Sequence, residues 1–185
     1  MFLHGYLVPF CRAVGGDSGS RVDSNANREA AGTRTIALRA IVAAGLTAGI
    51  LDIAAAICLM AARGIGPARL LQGIASGVLG PAAFTGGMTA ACLGGFFHFL
   101  IALAAAAVFW FASRYFCFFL RHNVVCGAGF GIAVWMFMNL AVIPMSAVPP
   151  RPLTSQSVAI GLLVHVVCVG LPISLIVKRY SPQGS

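Results

Sequence analysis

Four long apolar runs, separated by short stretches that carry the basic residues, dominate the chain. A helix needs about 20 predominantly apolar residues to cross the hydrocarbon core of a bilayer. The run between Arg39 and Arg63 predicts a first span over 40–61, and LGGFFHFLIALAAAAVFWFAS predicts a second over 93–113. The third is expected over 124–144, closed by Pro144, and the fourth over 157–177, ended by Lys178 and Arg179. Trp110, near the end of the second run, suits an aromatic belt at the membrane–water boundary.

The stretch 66–92 follows a different pattern. Pro67 can open a helix at its first turn. Leu70, Leu71, Ile74 and Val78 then recur at helical spacing, with Arg69, Gln72 and Ser76 forming the opposite stripe. That is an amphipathic segment over about 67–80, suited to lying in the interface. The glycine-rich remainder, GPAAFTGGMTAACLGG, is expected to form a loop or re-entrant turn, which at membrane depth must be shielded by protein or water.

No acid, arginine or lysine occurs between Arg69 and Arg114, so a fifth span would also fit there. Loop charges decide the matter. With four spans, Arg12, Arg21, Arg28, Arg34, Arg39, Arg114, Arg121, Lys178 and Arg179 share one side, and Arg63, Arg69 and Arg151 the other. That split is nine against three, whereas a fifth span moves 114/121 and 178/179 across and makes it six against six. The excess of positive charge on cytoplasmic loops therefore favours four spans with both termini in the cytoplasm. The fold class is all-α: a polytopic four-helix transmembrane bundle over 36–180 with an extra interfacial or re-entrant amphipathic segment.

Composition supports this and narrows the chemistry. Hydrophobic residues make up 59% and charged residues 9%, with a mean hydropathy of +0.94. Soluble domains carry about 25% charged residues, so a water-facing surface is excluded. The net charge of +8 is spread singly between apolar runs, with no basic face interleaved with aromatics, so nucleic acid is not an expected partner. Residues 1–35 are expected to be a disordered cytoplasmic tail. The apolar start 1–14 lacks the basic n-region of a signal peptide and contains Pro9. Residues 181–185 form a short C-terminal tail. The six cysteines, Cys11, Cys58, Cys92, Cys117, Cys126 and Cys168, show no C-x-x-C pair or ligand spacing, so neither disulfides nor a metal site is expected.

Small residues mark the packing faces. Gly45 and Gly49 share a face of the first span with Ala48, Asp52, Ala55 and Ala56. Gly94 and Gly95 share one of the second with His98, Ala102, Ala105 and Ala106, and Gly127 and Gly131 lie four apart in the third. Such stripes let helix backbones approach closely, within one bundle or between copies in a homo-oligomer. They also turn Asp52 and His98 toward other helices rather than lipid.

Each span holds one strongly polar residue: Asp52, His98, Asn139 and His165. Asp52 is the only acid after Glu29. At about 1.5 Å of rise per residue, all four fall in the outer half of the bilayer, within about one helical turn of one another in depth. Three readings of this set stand open: a structural network in which Asp52 hydrogen-bonds a histidine and Asn139 bridges helices, a proton or ion path, or a metal or catalytic site. No short ligand motif supports the last, and the turn around Ser76, which could pair with His98, lacks the first glycine of a nucleophile elbow. No catalytic residue and no cofactor is expected.

The segments GLTAGILDIAAA (45–56), RLLQGIASGVLGPAAFTGG (69–87), LGGFFHFLIALAAAAVFWFASR (93–114), FMNLAVIPMSA (137–147) and HVVCVGLPISL (165–175) together give the chain its overall pattern. In it the chain resembles a family of small, uncharacterised four-span bacterial inner-membrane proteins. The resemblance implies a four-span bundle in the plasma membrane, in contact with the lipid bilayer, and no known activity. The expected role is non-enzymatic. The alternative is a small proton- or ion-coupled transporter or channel using the Asp/His set.

Overall fold

A computed structural model describes residues 19–116, 118–147 and 154–181, with the backbone alone over 19–30. The tails expected at 1–18 and 182–185, with Cys11, Cys117 and Arg151, lie outside the described residues. The chain forms two compact units, Met1–Thr35 and Ile36–Ser185. In the first, the backbone is helical from Gly19 onward, where the composition predicts disorder. The reason is local: alanines, arginines and Glu29 are good helix formers. They also join the first span without a break, so no new nucleus is needed to extend it.

Five helices follow in order: α1 (Gly19–Ala61), α2 (Pro67–Leu79), α3 (Gly87–Tyr115), α4 (Asn123–Met145) and α5 (Ser155–Tyr180). A 3-10 turn, Gly80–Phe84, joins α2 to α3, and one helical turn, Phe118–Arg121, lies between α3 and α4. There is no strand among the described residues. Four stretches are long and apolar enough to cross a membrane: Ala31–Ala61 of α1, and α3, α4 and α5. The fold is a four-helix membrane bundle with α2 as an additional amphipathic helix.

The second span starts at Gly87 rather than at 93. Gly87 takes a positive φ of 58° at the entry, a conformation open to glycine, and the helix then runs unbroken through the glycine-rich stretch expected to be a turn. Two glycines inside a helix each cost about 1 kcal/mol relative to alanine. Packing compensates at Gly94, where the Leu71 carbonyl of α2 occupies the space a Cβ would need. Gly95, by contrast, has nothing within 4 Å of such a Cβ. Gly95→Ala is therefore expected to raise stability by about 1 kcal/mol, and Gly94→Ala to lower it by about 1–3 kcal/mol. Thermal unfolding of the two variants in detergent checks the contrast.

Both α4 and α5 contain a widened π-type turn, at Met138–Val142 and His165–Gly170. Each ends two residues before a proline, Pro144 and Pro172. A proline lacks the N–H that would bond to residue i−4, and its ring clashes with that carbonyl. The wide turn absorbs the clash: the Ile143 N–H donates to Met138 O and the Leu171 N–H to Val166 O, each five residues back. The third span ends at Met145, one residue past Pro144, as the apolar run and its closing proline predict.

The bundle packs differently at its two ends. Toward the end bearing Arg114, Arg121, Lys178 and Arg179, the core is dense. Ala40 and Ala44 of α1 lie against Ala106, Phe109 and Trp110 of α3 and Ile173 and Val177 of α5. Phe109 stacks edge-on against Phe119 and Phe130, with centroids 5.5 and 5.0 Å away. Trp110 is thus a core residue rather than part of an interfacial belt. On the α4–α5 seam, a Cβ on Gly127 would meet the Ser174 side chain, and one on Gly131 would lie 2.6 Å from His165 O. The α1–α3 seam repeats this, with Gly45 facing Leu103 and Gly49 facing Phe99.

At the other end sits α2; of its polar stripe Gln72 and Ser76 are turned inward, while Arg69 stays exposed. Gln72 and Ser76 are 9% and 1% exposed, while Val78 and Leu79 are 66% and 41% exposed. The Gln72 amide donates to Gly87 O at 2.9 Å, filling a carbonyl at the start of α3. In an apolar surround a polar group without a partner costs more than an exposed valine gains in water, so the stripe follows its partners.

Candidate functional site

Between the dense end and α2 lies a cavity of about 120 Å³. Asp52 of α1, His98 of α3 and His165 of α5 all line it, each half-buried. Its remaining wall is apolar, with Ala48, Ala105 and Val169 toward the core and Ile74, Ile101 and Met138 on the opposite side.

Backbone carbonyls set both histidines. His98 Nε2 lies 2.9 Å from Gly49 O, across the α1–α3 seam. A carbonyl only accepts, so Nε2 carries the proton and the neutral ring presents Nδ1 as its lone-pair nitrogen. The absence of a side chain at Gly49 is what lets α3 come near enough for this bond. His165 Nδ1 lies 3.0 Å from Gly161 O, one turn back in α5, which leaves Nε2 with the lone pair. His165 also opens the π-type turn of α5, and the Trp135 indole packs over Gly161.

Asp52 has no hydrogen-bonded or ion-paired partner among the described residues. Among the described residues, no fully enclosed side-chain nitrogen or oxygen lacks a partner. The unpartnered carboxylate and the two lone-pair nitrogens therefore reach accessible space. The expected Asp–His hydrogen bond is not formed. Asn139 does not join the set: its amide donates to Trp135 O at 2.9 Å, within its own helix, and it does not bridge helices. Its neighbour Met138 lines the cavity instead. Depth was common to all four residues, but one position along a helix turns a side chain by about 100°. Among the described residues, no three His, Cys, Asp or Glu side chains are placed to share a metal ion.

A second cavity, of about 570 Å³, opens beside the first. It lies between α2, α3 and α4, and Ile74, Ile101 and Met138 line both. Ser76 reaches this larger space, but its hydroxyl donates to Gly73 O at 2.7 Å, so it forms no pair with His98. The sequence signal for this cavity is Gly73, a glycine in the middle of an amphipathic helix with nothing within 4 Å of where a Cβ would stand.

No protein family, curated protein or solved structure matches the chain. The functional reading accordingly rests on the geometry of the site.

Proposed function

We propose that this chain is a non-enzymatic, multi-pass protein of a bacterial inner membrane, with both termini cytoplasmic, that carries protons or small cations through the Asp52–His98–His165 cavity. The observation that carries the reading is Asp52. An ionised carboxylate in a low-dielectric interior is costly unless a proton or cation neutralises it. This one has no hydrogen-bonded or ion-paired partner among the described residues and lines a cavity with two histidines. A structural role would require the carboxylate to be engaged. Each histidine offers one lone-pair nitrogen toward the cavity. The nine-to-three division of basic residues supports the orientation.

The test is flux. Purified protein in liposomes, under an imposed pH gradient and clamped potential, is expected to acidify the lumen faster than protein-free liposomes. A wild type that moves neither protons nor common monovalent cations overturns the reading.

A further inference from the structure

The larger cavity has an apolar body and one cationic corner. Leu70, Ile74, Phe97, Ile101 and Val142 supply apolar wall, and among the described residues Arg69 is the one charged side chain in the lining. Its volume, about 570 Å³, falls in the range of about 300–1,000 Å³ in which proteins hold small ligands. On α3 the cavity is lined by Phe97 and Ile101, one helical turn apart, and on α2 by Arg69, Leu70, Gly73 and Ile74.

Arg69 is held in place without being neutralised. Its guanidinium sits 4.1 Å over the Phe84 ring, and Nη1 donates to Phe84 O at 3.4 Å. No carboxylate pairs with it among the described residues; Asp52 lines only the neighbouring cavity. Four of the five guanidinium N–H groups remain for a ligand, in the fork geometry that suits a carboxylate or phosphate. Gly73 keeps the space beside it open.

We propose that this cavity binds an amphiphile with an alkyl chain ended by a carboxylate or phosphate, its chain lying along Ile74, Phe97 and Ile101 and its anionic head on Arg69. Charge complementarity selects the head and the apolar wall selects the chain. A free fatty acid and an acidic membrane phospholipid share this chemistry. The inference stands apart from proton or cation transport, because it is read by binding and not by flux.

The test uses the full chain in phosphatidylcholine nanodiscs, titrated with spin-labelled stearate, spin-labelled phosphatidate and spin-labelled stearyl alcohol. The motionally restricted fraction reports binding. At least one anionic probe is expected to bind tenfold or more tightly than the alcohol. If only stearate does so, the source is free fatty acid; if only phosphatidate does so, the source is membrane lipid. Arg69→Ala should reduce the anionic probe to the level of the alcohol, and Arg69→Lys should retain part of the difference. Gly73→Leu should weaken every probe tenfold or more, with a melting temperature no lower than that of the wild type, since its Cβ meets nothing. Equal binding of alcohol and anions, undiminished binding by Arg69→Ala, or undiminished binding by Gly73→Leu would each overturn the proposal.

Discussion

Asp52→Asn is expected to abolish proton or cation flux in liposomes while leaving the bundle folded. The two halves of that expectation have separate causes. Asparagine keeps the size and polarity of the side chain but cannot ionise, so a carrier built on its charge stops. Folding should not suffer, because no hydrogen bond or ion pair depends on the carboxylate among the described residues. Asp52→Leu carries the same logic further. A charged aspartate at membrane depth costs about 2.5–3.5 kcal/mol and leucine is favourable there, so this variant should express at least as well as the wild type. Thermal unfolding in detergent, run beside the flux assay, separates the alternatives. A fall in stability for both variants would mean that Asp52 holds helices together, and the transport reading would lose its basis.

Gly170→Ala should destabilise the bundle by about 3 kcal/mol or more, the upper end of what overpacking costs. A Cβ on Gly170 would collide with the Gly127 carbonyl and lie 2.7 Å from Gly131 N and 2.9 Å from Gly131 Cα. All three atoms are backbone, so no change of rotamer relieves them. Either α4 and α5 move apart or the seam fails. The damage should extend to the polar cavity, because Gly170 closes the π-type turn that His165 opens. Gly129→Ala is the control: it lies on the same helix as Gly127 and Gly131, and a Cβ there meets nothing within 4 Å. That variant should melt at or slightly above the wild-type temperature. A Gly170→Ala protein with a wild-type melting curve would mean that the close approach of these backbones is not what holds the seam.

The spans were legible because the length of an apolar run is a one-dimensional quantity, and so is the depth of a residue within it. Direction around a helix is harder to extract. Small residues at Gly45, Gly49, Gly127 and Gly131 identify faces that approach a neighbour, but not which neighbour; the partners are α3 for the first pair and α5 for the second. Gly94 and Gly95 look equivalent in sequence, yet only Gly94 faces α2. Asn139 was expected within about one helical turn of Asp52 and His165 in depth, but it bonds within its own helix and does not line their cavity. For α2 the two stripes were evident, whereas their orientation depended on a carbonyl at Gly87 that only the folded chain supplies. The wide turn before Pro144 was hidden for a related reason, since it belongs to the backbone's accommodation of the proline and leaves no mark in the apolar pattern. The cavities belong to several helices at once, and apart from Gly73 no single segment announces them.

The dense packing around Phe109 has a kinetic consequence. Ala48 and Val169 belong to that core and also floor the polar cavity, so the way past Asp52 ends on a stopper of interlocked rings. On the other flank Ile74, Ile101 and Met138 line both this cavity and the larger one beside it. If the proposed transport holds, cargo in the polar cavity would have to pass this packed core, which takes a collective rearrangement on the microsecond-to-millisecond scale or slower. Throughput governed by such a rearrangement saturates with the driving gradient, as it does for a ferry and does not for an open pipe.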